Sequence, residues 1–339
     1  MTEAHSLFLY KPEEDLVSIL ICSRDRRRAL EALIKELVSL KTEFRLEIVA
    51  VEETNHPVPI ENITYVSHPV ADRGIPYARN LALAHARGDI IVFIDDDCII
   101  HDHWLTNLLA PFQDDSVLGV QGGVTVPPDT NILGWVEAIV GVPGGNIKRV
   151  LEAKGKRQET MEISTLNCAY RRWAIEKVGC FEGRLTITGE DYILAKEICK
   201  LGRCLFVPDA MVSHAARGRL DRIWKWFIRR GRADIDVIRV MGWDLSKYQW
   251  LLRSSLLLKI LFLVTLCTLL PNLAIVLTIL AFMLYLLSQY ARYYSIWRMA
   301  RISIMSLVLI PVVKFLMDFA IDTGRLMEIA KRARITSNG

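Results

Sequence analysis

The feature that most limits how this chain can fold is a long uncharged segment near its C-terminus. From Ile260 to Gln289 the sequence holds no Asp, Glu, Lys or Arg over roughly 30 positions, and about 20 apolar residues are enough for a helix to cross a bilayer. The alternative is a buried hairpin of a soluble protein, but soluble helices of this length rarely lack charge altogether. We therefore expect residues 255–289 to be transmembrane.

A proline and an asparagine at 271–272 interrupt this segment, so it forms either one kinked helix or a hairpin of two short helices. Residues 290–301 are rich in Tyr, Trp and Arg, a composition typical of the membrane–water interface. A further apolar stretch within 302–339 carries Lys314 and Asp318. Those charges make it a weaker span and favour a helix that lies in the interface.

The composition of the whole chain agrees with a membrane protein. Hydrophobic residues make up 52% of it, and the mean hydropathy is +0.25. The net charge of only +4 gives no reason to expect a nucleic-acid partner. Residues 1–15 lack the basic start and apolar core of a signal peptide. The seven cysteines form no Cys-x-x-Cys pair, which favours a reducing compartment.

The first part of the chain alternates strand and helix patterns. Strands are predicted at 16–22, 46–51, 63–68 and 90–94, and helices at 27–40 and 75–87. This order predicts an α/β fold with a parallel sheet, in which ligands bind at the carboxyl ends of the strands. The polar residues that follow three of these strands are therefore site candidates: Ser23 to Asp25, Glu52 and Glu53, and Asp95 to Asp97.

Three consecutive carboxylates, Asp95, Asp96 and Asp97, follow the apolar strand at 90–94. Adjacent anions repel one another, so a compensating charge is expected. A divalent cation such as Mg²⁺ or Mn²⁺ would supply it, because hard cations take oxygen ligands and complete their shell with substrate phosphates. The alternative is a solvated acidic turn, which is common after strands.

Several segments together resemble glycosyltransferase family 2, whose members have the GT-A fold, a Rossmann-like domain that transfers sugars from nucleotide diphosphates. The resemblance covers residues 16 to 235, and its motifs occur in the family's order and spacing. Two positions depart from the usual pattern, with Glu52 in place of Asp and Ser23 in place of Thr. The segments that carry it are 17–26, 47–53, 72–80, the D-x-D-like 95–97, 167–172, 179–181, 189–191 and 207–210 with His214.

The resemblance implies roles for individual residues. Contacts to the nucleotide sugar are expected from Ser23, Asp25, Glu52, Arg79, Asp95 and Asp96. Arg79 would pair with a phosphate or else buttress the site. Metal ligands are expected at Asp97 and His214; the alternatives for His214 are a contact with the diphosphate or a structural role, which is usual for a lone histidine.

The catalytic base is expected at Asp191, with Glu190 orienting the acceptor or bonding nearby backbone. These two carboxylates begin a predicted helix at 192–201, so the alternative is that they only cap it. The segment 217–232 mixes Trp with basic residues at helical spacing, which suggests a helix at the level of lipid headgroups.

The sequence thus predicts an inverting glycosyltransferase that uses a nucleotide-diphosphate sugar and a lipid-linked or glycan acceptor at a bilayer. We expect a multi-pass protein of the cytoplasmic membrane with a cytosolic catalytic domain. A processive polysaccharide synthase is an alternative, but 227–232 lacks the Gln-x-x-Arg-Trp element; a third alternative is an inactive nucleotide-sugar-binding scaffold. The expected parts are an N-terminal extension (1–15), a GT-A domain (16–235), a juxtamembrane linker (236–254), the hairpin (255–289), a basic aromatic linker (290–301), and a membrane-associated helix with the C-terminal tail (302–339).

Overall fold

The structure is a computed structural model that describes residues 15–71, 73–141 and 146–337, with the side chains of 335–337 left out. Contacts divide the chain into two compact units. The first comprises Met1–Pro127 and Val142–Ala215, and the second Pro128–Gly141 and Ala216–Gly339. Asp72, part of one family-like segment, lies outside the described residues.

The strands all belong to the first unit. In chain order they are β1 (Leu16–Arg24), β2 (Arg45–Glu53), β3 (Thr64–His68), β4 (Ile90–Ile94), β5 (Cys98–Ile100), β6 (Val117–Thr125), β7 (Gln158–Glu159), β8 (Asn167–Arg171) and β9 (Arg203–His214). The helices are α1 (Arg27–Val38), α2 (Ile75–His85), α3 (Trp104–Leu109), α4 (Ile132–Val140), α5 (Ile147–Ala153), α6 (Arg172–Lys177), α7 (Glu190–Ile198), α8 (Leu220–Met241), α9 (Leu245–Ser254), α10 (Leu256–Leu269), α11 (Ala274–Ala300) and α12 (Ile304–Ser337). Two short 3₁₀ helices cover Ala110–Gln113 and Pro271–Leu273.

The nine strands form one mixed sheet in the order β3-β2-β1-β4-β8-β6-β9-β5, with β7 beside β9. The half built from β1 to β4 is parallel, as the alternating pattern predicted. The other half is mixed, because β8 runs antiparallel to both β4 and β6 and β5 runs antiparallel to β9. β8 is entirely buried, and the sequence of a single five-residue strand carries no signal of strand direction.

Helices cover both faces of this sheet. Val17, Ile19 and Ile21 of β1 point to one face, where they join the buried leucines of α1. Leu20 points to the other face and joins Ala78 and Ala82 of α2. This alternation follows from the two-residue period of a strand, and it fixes which face each helix covers.

A partly buried carboxylate fixes the start of the parallel half of the sheet. Glu47 of β2 accepts hydrogen bonds from Ser18 Oγ at 2.5 Å, from Arg87 Nε at 3.0 Å and from the backbone N–H of Gly88 at 3.2 Å. Gly88 approaches β1 so closely that a Cβ there would lie 2.6 Å from the Ser18 nitrogen. Only glycine fits this turn, which sets the start of β4 against β1.

In the second unit, α8 packs tightly against α12. A Cβ on Gly231 of α8 would lie 1.9 Å from the carbonyl oxygen of Ile321, and one on Gly324 of α12 would lie 2.1 Å from that of Ile228. Trp224 stacks on Phe319 with ring centroids 5.9 Å apart. The apolar face of α8, which the sequence suggested for lipid headgroups, therefore packs on a protein helix instead.

The chain bends by 66° between α9 and α10, and α12 holds this bend. Asp322 accepts hydrogen bonds from Ser255 Oγ and from the Leu257 N–H, both at 2.9 Å. Arg325 donates to Asp322 at 3.1 Å and to Ser254 Oγ at 3.0 Å. The first turn of α10 is thus capped both by its own Ser255 and by a carboxylate of α12.

By length and composition, two stretches of the described chain could cross a membrane, Pro271–Ala300 and Ile304–Arg334, and the bent pair of α9 and α10 would be a third. From the sequence, we expected the apolar part of α12 to be a weaker membrane span than residues 255–289, because it carries Lys314 and Asp318. These two residues pair with each other one turn apart, so their charges compensate locally and the helix still qualifies.

The two candidate helices differ in how much protein covers them. The most apolar window of the Pro271–Ala300 stretch is 0% buried, whereas that of α12 is 33% buried. The buried positions of α12 recur every three or four residues along its length, so one face is covered throughout. They include Ser306, Ile310, Val313, Met317, Ala320, Gly324 and Glu328.

Candidate functional site

The carboxyl ends of β1 and β2 bring a hydroxyl and a carboxylate together. Ser23 is the register partner of Glu52, and both are buried. Oε2 of Glu52 accepts hydrogen bonds from the Tyr65 hydroxyl at 2.6 Å and from Arg27 Nη1 at 3.0 Å. Burial and the neighbouring Glu52 raise the pKa of Tyr65 to about 12, so its hydroxyl remains a donor. Tyr65 and Arg27 thereby anchor Glu52, a pairing that the sequence did not indicate.

The turn after β1 carries two polar residues of different character. Asp25 is exposed and has a left-handed backbone with φ of 50°. Arg26 follows at the start of α1, and its guanidinium pairs with Asp97 and, at 2.5 Å, with Asp96. Sequence reasoning gave Arg26 no role. The signal was available, because β1 and β4 are neighbouring parallel strands and their carboxyl ends must meet.

Three potential metal ligands converge beside this turn. One ligand atom from each of Asp95, Asp97 and His214 lies within 4.8 Å of the others, and His214 Nε2 is 3.3 Å from Asp97 Oδ1. The antiparallel pairing of β5 with β9 places His214 opposite Cys98, the residue after Asp97. Two carboxylates and an imidazole are a donor set that fits Mn²⁺ or Mg²⁺. Asp95 is thus a third potential metal ligand, in addition to the predicted Asp97 and His214.

The three aspartates have different surroundings. Burial alone would raise the pKa of Asp97, but His214 and Arg26 lower it to about 2, so this carboxylate stays ionised. Burial raises the pKa of Asp96 to about 6, and its side chain has 0% exposure. Asp96 is therefore a buried partner of Arg26. Asp97 instead belongs to the cluster of potential metal ligands with Asp95 and His214.

Arg79 links α2 to the start of α7. Its guanidinium donates to the buried carboxylate of Glu190 and lies 4.0 Å from Asp95. The guanidinium also lies 5.7 Å from the ring centroid of Phe181. Asn80, which the sequence gave no role, fixes the same loop, because its side chain accepts from the Phe181 N–H at 3.0 Å and donates to the Phe181 carbonyl at 2.9 Å. The Arg79 guanidinium therefore lies between the carboxylates of Glu190 and Asp95, the position expected of a residue that buttresses the site.

The two carboxylates at the start of α7 are placed differently. Gly189 precedes them with φ of 108°, a conformation that favours glycine. Glu190 is 1% exposed, and its Oε2 has no hydrogen-bond partner among the described residues. Asp191 is partly exposed, and its Oδ1 accepts from the Tyr192 N–H at 2.8 Å. Of the two, Asp191 is the one that solvent can reach.

Comparison with known sequences identifies the domain that carries this site. The sequence model of glycosyl transferase family 2 matches residues 18–179. "Probable N-acetylgalactosaminyltransferase 7" of Caenorhabditis elegans is 24% identical over 274 residues, which cover 72% of this chain. Polypeptide N-acetylgalactosaminyltransferase 11 of Xenopus tropicalis is 28% identical over 121 residues, or 31% of the chain. The aligned parts span only 41% and 20% of those relatives.

Solved structures show the same fold at low sequence identity. The mannosyltransferase PcManGT from Pyrobaculum calidifontis, in complex with GDP-Man and Mn²⁺, superposes with a TM-score of 0.52 and 17% identity over 94% of this chain and 88% of its own. GalNAc-T7 with UDP, GalNAc and Mn²⁺ also gives a TM-score of 0.52, with 16% identity over 72% of this chain and 51% of its own. Residues 18–179 therefore match glycosyl transferase family 2, and the chain carries the GT-A fold.

Proposed function

We propose that this protein is a metal-dependent glycosyltransferase that moves a sugar from a nucleoside-diphosphate donor to a membrane-associated acceptor. The observation that carries the proposal is the convergence of Asp95, Asp97 and His214 beside Ser23 and Glu52 at the carboxyl ends of neighbouring strands. Further support comes from the relatives named as N-acetylgalactosaminyltransferases and from the neighbours solved with nucleotides and Mn²⁺.

Donor binding is divided between two sets of residues. Asp95, Asp97 and His214 would hold the divalent metal, which would supply positive charge to the leaving diphosphate. Ser23 and Glu52 offer hydrogen-bonding groups to the nucleobase, with Glu52 held in place by Tyr65. Asp25 lies on the exposed turn next to them. This arrangement holds the nucleotide by its two polar ends and leaves the sugar free to face an acceptor.

The chemical step is a direct displacement with inversion at the anomeric carbon. A bond forms from the acceptor oxygen to that carbon as the bond to the diphosphate oxygen breaks, and the acceptor proton passes to Asp191. Asp191 suits this role because it is partly exposed and lies in the first turn of α7, where solvent and an acceptor can reach it. Glu190 is paired with Arg79 and acts as a positioning residue.

We propose that the acceptor is lipid-linked or a surface glycan, and that the hairpin of α10 and α11 enters the bilayer. The large apolar side chains of these two helices are mostly exposed, which suits a lipid environment. The half-covered α12 would lie along the interface with its open face toward lipid. Basic residues between 217 and 253 support a cytosolic position of the catalytic domain at the cytoplasmic membrane, by the positive-inside rule.

The test uses the full chain in detergent or nanodiscs with a panel of nucleotide sugars. We expect release of nucleoside diphosphate with Mn²⁺ and none with EDTA. Asp97→Asn should lower metal-dependent turnover by about 10²-fold or more, because even second-shell changes at metal sites cost 10–100-fold. Asp102→Asn, at an exposed acidic position, serves as the matched control and should behave as wild type. Equal turnover in EDTA, or full activity of Asp97→Asn, would refute the proposal.

A further inference from the structure

The guanidinium of Arg26 occupies the same carboxylate that the proposed metal needs. Its Nη1 pairs with Oδ2 of Asp97, and its Nη2 pairs with Oδ1 of Asp96 at 2.5 Å. Across Asp97, His214 Nε2 lies 3.3 Å from the other oxygen, Oδ1. Arg26 thus compensates the charge of Asp96 and Asp97 in this structure.

Arg26 and a divalent cation compete for Asp97. Both are positive, and within a few ångströms like charges repel one another strongly where solvent is partly excluded. A metal that binds Asp97 must therefore weaken the Arg26 pair, and the Arg26 pair must weaken metal binding to the same extent. This reciprocity follows from thermodynamic linkage between two ligands of one group.

The local structure lets the Arg26 side chain leave without unfolding anything. Its backbone is anchored, because its carbonyl oxygen accepts from the N–H groups of Ala29 at 3.0 Å and Leu30 at 3.1 Å at the start of α1. Its side chain is 50% exposed and does not cap the helix. The flexible side chain can therefore move while the turn stays in place.

We propose that Arg26 is an exchangeable counter-ion of the metal site. It holds Asp97 and Asp96 in the metal-free protein, a divalent cation displaces it, and the freed guanidinium then pairs with the diphosphate of the donor. The planar guanidinium suits this second role because it can donate two parallel hydrogen bonds to phosphate oxygens. The inference rests on the proposed metal site, and it assigns the turn after β1 a part in the order of binding.

The experiment measures Mn²⁺ binding to the full chain, without any nucleotide, by the electron paramagnetic resonance signal of free Mn²⁺. Arg26→Ala and Arg26→Gln should each bind Mn²⁺ about 3- to 10-fold more tightly than wild type, the size expected for loss of a half-exposed competing ion pair. Arg24→Ala is the matched control, because Arg24 lies on the same turn, is 51% exposed and pairs with Glu53 at 3.6 Å instead. It should leave Mn²⁺ affinity unchanged.

A second titration adds UDP or GDP at saturating Mn²⁺. Both Arg26 variants should bind the diphosphate at least about 3-fold more weakly than wild type, the opposite sign to their effect on Mn²⁺. A residue with only a structural role would weaken both ligands together, and that result would overturn the inference. Unchanged Mn²⁺ affinity in both Arg26 variants would overturn it as well, while leaving the proposed function intact. Failure of wild type and variants alike to bind Mn²⁺ would instead refute the metal site on which both rest.

Discussion

The guanidinium of Arg79 and the carboxylate of Glu190 form a buried ion pair that joins α2 to the first residue of α7. The side chain of Arg79 is 10% exposed and that of Glu190 is 1% exposed. The pair lies next to Asp95 on one side and to Asp191 in the chain on the other. It therefore sets the distance between the donor half and the acceptor half of the proposed site.

Removing Glu190 should destabilise the catalytic domain. Glu190→Ala leaves the Arg79 charge buried without its partner, and loss of one member of a buried pair typically costs about 3–5 kcal/mol of the free energy of unfolding. Denaturant unfolding followed by circular dichroism measures this change. The control is Glu176→Ala, which removes an exposed one-turn pair with Arg172 and should cost less than about 1 kcal/mol. Equal, small effects of the two substitutions would contradict a structural role for Glu190.

Replacing Asp191 should give the opposite profile. Asp191→Asn keeps the shape of the side chain and removes its ability to take the acceptor proton, so turnover should fall by about 10²–10⁴-fold. Donor affinity and the unfolding midpoint should stay close to wild type, because the side chain is partly exposed and bonds only a neighbouring backbone N–H. Steady-state transfer kinetics with isothermal titration of the donor tests this. Near-normal transfer by Asp191→Asn would move the base elsewhere.

Glu47 should make stability depend on pH in the acid range. Burial alone would raise the pKa of Glu47, but hydrogen bonds from Ser18, from the Arg87 backbone and from the Arg87 guanidinium lower it. A lowered folded-state pKa stabilises the protein above the unfolded value of about 4.3, and this stabilisation is lost as pH falls through the folded pKa.

Glu47→Gln should therefore cost about 1.5–3 kcal/mol at pH 7, the range for hydrogen bonds to a charged group, and the difference from wild type should shrink below about pH 4. Unfolding curves at several pH values measure this convergence. Glu43→Gln, at an exposed position just before the same strand, should show neither the loss nor the convergence. A Glu47→Gln difference that grows in acid would show the sign to be wrong.

Local patterns were enough to predict the parallel half of the sheet, but not the strands that complete the site. The strand predicted at 16–22 is β1 (Leu16–Arg24), and the triplet at 95–97 follows β4 as expected. His214 lies beside Asp97 only because β5 pairs with β9 in antiparallel register, which sets His214 opposite Cys98. That pairing joins residues more than a hundred positions apart, and no periodicity within either segment encodes it.

The Arg79 and Arg26 side chains show a second limit of sequence reasoning. A basic residue near a phosphate site can bind the ligand or neutralise a protein carboxylate, and residue type alone does not distinguish the two. Only the packing in the structure distinguishes these roles. Arg79 is buried against Glu190, whereas Arg26 is half exposed and pairs with Asp97.

A single methyl group should disrupt the second unit. Gly231→Ala places a Cβ 1.9 Å from the Ile321 carbonyl oxygen, so α8 and α12 must separate. Overpacking of this kind typically costs about 1–3 kcal/mol and sometimes more. The thermal unfolding midpoint of the detergent-solubilised protein measures it. Gly183→Ala meets nothing within 4 Å and serves as the control; a Gly231→Ala midpoint equal to that of Gly183→Ala would refute the close packing.

The C-terminus should lie on the cytosolic side together with the catalytic domain. If α10 and α11 form the inserted hairpin and α12 lies in the interface, a cysteine introduced at Ser337 should react with impermeant maleimides only after the membrane is opened to the cytosolic side. Three complete spans would place residue 337 outside, because an odd number of crossings reverses the side. The labelling is done on a variant of full activity in intact and permeabilised cells, and labelling of intact cells would exclude the hairpin topology.

The Asp322 cap on α10 also has a consequence for the order of biosynthesis. The N-terminus of α10 is completed by a side chain 67 positions later in the chain. The ribosome therefore synthesises the whole hairpin of α10 and α11 before the residue that fixes its angle to α9. A chain truncated before residue 322 should therefore keep both helices of the hairpin yet leave the 66° bend without its clamp.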